Sequence, residues 1–138
     1  PIDFIEQPVA ARNHEGLATL TAIRQLPIMA DESVFGFQDA LALLSRHAVN
    51  HINIKLMKTG GLAEAAKIDA ACASCGVTTM VGCMIESNLS LVPAIAFAAV
   101  HDNVTFTDLD AVYMVKKQQA GIQTNGPQLT IGDPLHDA

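Results

Sequence analysis

His51-Ile-Asn-Ile-Lys-Leu-Met-Lys-Thr-Gly-Gly61 decides how this 138-residue chain reads. Ile52, Ile54 and Leu56 alternate with Asn53, Lys55 and Met57, the period of two expected of a strand, and Gly60-Gly61 then opens a helix-like run. One face is apolar and the other carries a lysine. In a barrel of parallel strands the outward face packs under helices and the inward face lines the interior, which places Lys55 inside, near the strand's C-terminal end. Burial disfavours the charged form and lowers a lysine's pKa, a route to an amine base near neutral pH. The alternative is a lysine whose stem covers apolar surface while its head reaches water.

Working outward, Ile2-Asp-Phe-Ile-Glu-Gln7 reads as a short strand cut off by Pro8, with Phe4 and Glu6 on one face. Leu17, Leu20, Ala22 and Ile23 recur at helical spacing from His14 to Gln25, and Pro27 stops that pattern. Ile28 to Ser33 is a second strand that reaches Asp31 as the chain turns polar. Phe37 to His47 and Leu62 to Cys75 are amphipathic helices, the latter closed by Gly76. Val77 to Val81 is the fourth strand, followed by Gly82-Cys-Met-Ile-Glu-Ser-Asn88. Leu89 to Val100 is a further helix, and Val104 to Thr107 a fifth strand ending in Asp108-Leu-Asp110. Past Lys117 come a glycine-containing turn, Gly121 to Pro127, and a short strand signal, Gln128 to Ile131.

Strand and helix alternating about every 25 residues is the unit of a parallel sheet with crossover helices. The polar residues of interest keep that phase: Glu6 to Asp31 is 25 positions, Asp31 to Lys55 is 24, Lys55 to Glu86 is 31 and Glu86 to Asp108 is 22. All fall at or just after strand C-termini, the rim where barrel enzymes place their active sites. Five strands and four crossovers make little more than half of an eight-stranded barrel, which takes about 250 residues.

Half the residues are hydrophobic, so the chain can bury a core. A formal charge of −6 without any Lys/Arg cluster argues against nucleic acid or an anionic membrane as partner. The longest apolar run, Leu89 to Val100, is too short to span a bilayer and contains Pro93; with no signal-peptide layout at the front, the expectation is a soluble, cytoplasmic protein. Cys72, Cys75 and Cys83 are an odd number, which argues against a disulfide framework. Cys72-Ala-Ser-Cys75 has metal or redox spacing but no second pair, and buried thiols are the favoured reading.

Two carboxylates at adjacent strand ends repel each other unless a cation or proton lies between them. A hard divalent ion such as magnesium suits such oxygen donors; two solvated strand-end acids are the alternative. Lys55 on the next strand sets a base beside that cation, the arrangement for abstracting a proton alpha to a carboxylate. Glu32 and Lys58, opposite to or beyond the strand's phase, are expected to support the site or be solvated. Gly60-Gly61 either cradles an anion at a helix start or serves loop geometry.

Ile5-Glu-Gln-Pro8, Ala30-Asp-Glu-Ser33, Asn53-Ile-Lys-Leu-Met-Lys-Thr-Gly-Gly61 and Gly82-Cys-Met-Ile-Glu-Ser87 resemble successive strand ends of the enolase superfamily, muconate-lactonizing subgroup, within it closest to dipeptide epimerases. The resemblance implies an α/β fold, the open-edged C-terminal half of a (β/α)8 TIM-type barrel, with residues 1–138 supplying strands four to eight. It implies Glu6 and Asp31 as metal ligands for magnesium, with manganese as substitute, and Lys55 as one of two acid/base lysines. Asp108-Leu-Asp110 resembles the pair with which dipeptide epimerases hold a free amino group, a fit for an ammonium and a poor one for a dicarboxylate; a turn is the alternative. Glu86 is expected to orient Lys55 or contact substrate. The implied function is epimerisation of a dipeptide through a magnesium-stabilised enediolate. A muconate cycloisomerase or o-succinylbenzoate synthase and a non-catalytic half-barrel are the competing readings. The family's capping domain, earlier lysine pair and first aspartate ligand do not stand in this sequence, and the tail Gly132-Asp-Pro-Leu-His136 resembles the family's ending only loosely. A homo-oligomer or a missing N-terminal half is therefore expected to cover the open edges.

Overall fold

Alternation of short strands and helices dominates the computed structural model, which describes residues 1–23, 25–116 and 121–132. The chain runs β1 (Ile5–Glu6), α1 (His14–Ile23), β2 (Ile28–Ala30), α2 (Phe37–Leu44) and β3 (His51–Lys55). A single turn, α3 (Leu56–Thr59), precedes α4 (Leu62–Ser74), β4 (Thr78–Gly82), α5 (Asn88–Val100) and β5 (Val104–Asp108). The short α6 (Ala111–Met114) and an antiparallel hairpin of β6 (Ile122–Asn125) and β7 (Gln128–Ile131) follow. Strands β1 to β5 form one parallel sheet in sequence order, the half-barrel that the spacing predicts.

The alternation in β3 sorts its side chains as expected. Ile52 and Ile54 are fully buried in the core beneath the helices, together with Leu17, Leu43, Ile68 and Val81. A buried leucine or isoleucine contributes about 1.5–3 kcal/mol over its exposed state, so this layer holds the helices to the sheet. The helices also brace each other: Glu64 Oε1 of α4 accepts the Phe37 N–H at the start of α2 at 3.0 Å.

Several boundaries differ from the sequence reading. The expected strand Ile2–Gln7 pairs only at Ile5 and Glu6, because Gln7 adopts a left-handed backbone, φ 39°, before Pro8. The lysine strand ends at Lys55, and Leu56 and Met57 enter the turn α3. Gly60 and Gly61, at φ 75° and 129°, supply the left-handed residues between α3 and α4, so loop geometry accounts for the pair. The three cysteines are free, but only Cys72 is buried, its thiol pushed up to about 12 by burial and the charges of Asp69 and Cys75; Cys75 is exposed and Cys83 half-buried. No described helix is long and apolar enough to cross a membrane. The tail after Gly132 and the stretch from Lys117 to Ala120 lie outside the described residues.

On the concave face the sheet curves far enough for residues flanking its two edges to meet. The Phe4 and Phe106 rings lie 4.9 Å apart, and His51 between them is 5.8 and 5.6 Å from each. His51 Nδ1 is 2.6 Å from Thr78 Oγ1. Burial among these rings holds the imidazole pKa below its ordinary 6.5. The unfolded chain therefore takes up a proton first, so the stability this site contributes is complete above pH 6.5 and is lost as the pH falls through the folded value. Urea midpoints measured from pH 7.5 to 5.5 are expected to fall in the wild type, and His51→Phe to flatten that fall.

Candidate active site

Register brings the rim residues together. Lys55 pairs with Gly82, and Gly82 with Asp108, while Glu6 pairs with Met29, two residues before Asp31. Side chains two apart on a strand share a face, so Glu6, Asp31, Lys55 and Asp108 all reach the concave C-terminal rim. With Gln7 and Glu32 they line one cleft of about 590 Å³. A larger hollow at the other end of the sheet, about 780 Å³, is lined by Arg46, His47 and Asn50 and has no carboxylate. Of these two hollows, only the cleft at the C-terminal rim is lined by carboxylates.

Asp31 is the centre of the cleft. Lys55 Nζ donates to its Oδ2 at 2.8 Å, and Lys58 Nζ donates to its Oδ1 at 2.5 Å. Burial pushes the Asp31 carboxyl up, but the hydrogen bonds and charges of the two lysines outweigh it and hold the group below the usual carboxylate range. For Lys55, burial pulls the pKa down, yet the bond to Asp31 and the charges of Asp31, Glu6 and Glu32 more than offset it. Its pKa therefore lies above that of an ordinary lysine, against the lowered value expected from burial alone. Lys58 goes the other way: burial dominates and holds its pKa low despite Asp31.

Two side chains missed in the sequence set the carboxylates in place. Gln7 Oε1 accepts the N–H groups of Asp31 at 2.8 Å and Ser33 at 3.2 Å, while its Nε2 donates to Ser33 Oγ at 2.8 Å and to the Val9 carbonyl at 3.0 Å. Asn53 Nδ2 donates to Glu6 Oε1 at 2.7 Å. Asn53 shares the inward phase of Lys55, which is the signal that would have found it. Gly82 makes room for it: a Cβ at position 82 would lie 2.5 Å from Asn53 Oδ1. Gly82→Ala is expected to cost about 1–3 kcal/mol by overpacking, read as a lowered urea midpoint, and to pull Asn53 off Glu6.

The remaining candidates are spread more widely. Asp108 lines the Lys55 cleft and also a second hollow of about 440 Å³, which it shares with Asp110, Tyr113 and Leu129. Burial first, then the charge of Asp110, pushes the Asp108 carboxyl up. Asp110 Oδ1 is 3.8 Å from Cys83 Sγ. Glu86 does not line the cleft: its Oε1 accepts the Met84 N–H at 3.0 Å and its buried Oε2 has no hydrogen-bond partner among the described residues. Glu86 instead lines a hollow with Met57, Ile85 and Leu89. Glu32 lines the cleft, and Lys58 is buried and fully engaged rather than solvated.

Glu6 and Asp31 supply only oxygen donors from adjacent strand ends, and the buried Oδ1 of Asn53, whose amide nitrogen donates to Glu6, has no hydrogen-bond partner among the described residues. In kind this donor set fits a hard divalent cation, which prefers oxygen. It fits as part of a shell, since no group of three or more His, Cys, Asp or Glu side chains able to hold a metal occurs among the described residues.

Residues 1–132 match the family described as Enolase C-terminal domain-like. The chain is 46% identical over 113 residues to the hydrophobic dipeptide epimerase of Enterococcus faecalis, covering 81% of this chain and 32% of that protein. It is 42% identical over 132 residues to the L-Ala-D/L-Glu epimerase of Bacillus subtilis, covering 94% and 36%. The substrate-liganded Bacillus subtilis epimerase structure superposes with a TM-score of 0.90 over 95% of this chain and 37% of that one. The Enterococcus faecalis dipeptide epimerase complexed with Mg and L-Leu-L-Tyr gives a TM-score of 0.85 at 42% identity, over 88% and 35%. The chain thus spans about a third of the length of these relatives.

Proposed function

The chain belongs to the Enolase C-terminal domain-like family, and from that premise we propose that it carries the barrel chemistry of a dipeptide epimerase, exchanging the proton on the carbon next to a carboxylate. The observation that carries this reading is Lys55 on the C-terminal rim, in one cleft with Glu6, Asp31 and Asp108. Lys55 accepts and returns the proton at Nζ. Pairing with Asp31 favours its ammonium form, so the amine must part from that carboxylate before it takes a proton. Glu6 and Asp31 would hold the cation, magnesium or manganese. When bound, that ion supplies positive charge against the negative charge that develops on the substrate carboxylate. Magnesium is supported by the Mg-complexed dipeptide epimerases of Enterococcus faecalis and Methylococcus capsulatus.

Asp108 and Asp110 are assigned to the substrate's ammonium. Two neighbouring carboxylates, one with its pKa raised by burial and then by the charge of the other, gain from a cation between them and repel a further carboxylate. Glu86 is assigned only a contact with substrate, from its own hollow. The test is to incubate the 138-residue chain with magnesium in heavy water, with the L,L and L,D forms of Ala-Glu and Leu-Tyr or with cis,cis-muconate, and follow α-deuterium by mass spectrometry and lactone formation by absorbance. Deuterium in a dipeptide without lactone is the expected result. Lactone formation, or no exchange into either dipeptide, would overturn the assignment.

A further inference from the structure

Lys58 sits where the chain leaves β3, and α3 turns it back toward the strand it has just left. Its side chain is 6% exposed, and all three of its ammonium protons have an acceptor. These are Asp31 Oδ1, the Asp31 carbonyl at 2.6 Å and the Asn53 carbonyl at 3.2 Å. The Phe35 ring lies 5.9 Å from Nζ and covers it. Lys55, by contrast, gives one hydrogen bond, to Asp31 Oδ2, and lines the cleft, which Lys58 does not. One carboxylate thus faces two lysines of different kind: one locked behind it by three bonds, one in front of it by a single bond.

We propose that Lys58 is the positioning residue of Asp31: by gripping Oδ1 and the carbonyl of the same residue, it turns the carboxylate so that Oδ2 alone faces Lys55 and the cleft. The proposal rests on reading this cleft as the reaction site and adds the residue that sets its geometry. Lys58 has no donor left for a substrate, so it acts through Asp31 and not on the reacting atoms. The grip also joins the end of β2 to β3 at the level of the chemistry, which keeps Asp31 in place when Lys55 moves away. A side chain that orients a ligand in this way typically changes metal affinity about 10- to 100-fold when removed.

The experiment compares the full chain with Lys58→Met and Lys58→Arg by NMR and by manganese binding. In the wild type, the Lys58 ammonium protons are expected to exchange far more slowly than those of the exposed Lys67. Asp31 is expected to show a single χ1 rotamer in the wild type and in Lys58→Arg, and rotamer averaging in Lys58→Met with the other strand amides unmoved. Manganese affinity, followed by electron paramagnetic resonance, is expected to fall about 10- to 100-fold in Lys58→Met and to be restored by Lys58→Arg. Loss of a nearby positive charge acting alone would tighten the cation instead, so the sign separates positioning from charge. A fixed Asp31 rotamer in Lys58→Met, tighter manganese binding, or Lys58 protons that exchange as fast as those of Lys67 would overturn the proposal. If Lys58→Met does not fold, the wild-type proton exchange and the Lys58→Arg rotamer decide it. If the wild type binds no manganese, the cation reading of the cleft fails, while the rotamers still decide the role of Lys58.

Discussion

Lys55→Ala is expected to slow α-proton exchange about 10²- to 10⁴-fold, the usual contribution of a positioned acid or base. The loss should fall on kcat, since Lys55 touches the reacting proton, whereas the ammonium of the dipeptide is assigned to Asp108 and Asp110. Stability should change little. Lys55 is the more exposed of the two lysines, and Asp31 keeps its bonds to Lys58 and to the Gln7 side chain after Lys55 is gone. Exchange in heavy water and a urea titration on the same preparation separate the two effects. A variant that lost stability without losing exchange would move the chemistry off Lys55.

Asp31→Ala, which also removes a cation ligand, is expected in addition to cost about 3–5 kcal/mol of stability, because it leaves an uncompensated charge where Lys58 is almost wholly enclosed. Its pH dependence has a definite sign. The folded-state pKa of Asp31 lies below the ordinary 3.8, so the contribution is complete above that value and is lost as the pH falls through the folded pKa. In the variant, the unpaired Lys58 can shed its proton, and the penalty should shrink as the pH rises toward the lysine range. Urea midpoints of wild type and Asp31→Ala check both statements, the first below pH 3.8 and the second between pH 7 and pH 9.

The half-barrel was legible because two periods are written in the chain. Ile52 and Ile54 against Asn53 and Lys55 mark a strand with one covered face, and the recurrence of Glu6, Asp31, Lys55 and Asp108 marks its repetition at a constant phase. The limits of the reading are equally local. Leu56 and Met57 continue the strand's alternation on paper, but α3 begins at Leu56, and the helical turn carries Lys58 back to Asp31. A period-two reading cannot see that return. The raised pKa of Lys55 escaped because it depends on a contact 24 residues away. The Gln7 bracket depends on a left-handed residue that composition does not announce. Asn53 shares the phase of Lys55, so its inward position is legible, but an uncharged amide carries no mark of the carboxylate it holds. Glu86 keeps the spacing of the rim repeat, yet it lies past the strand end at Gly82 and one carboxylate oxygen accepts the Met84 N–H, so it lines a neighbouring hollow and not the Lys55 cleft.

Whether Glu6 and Asp31 hold a cation beside Lys55 is tested most directly by titrating the 138-residue chain with manganese. Bound ion is followed by electron paramagnetic resonance, with Glu6→Gln and Asp31→Asn alongside. One saturable site, displaced by magnesium and lost in both variants, is the expected result. No binding, or a site that survives both substitutions unchanged, would contradict it.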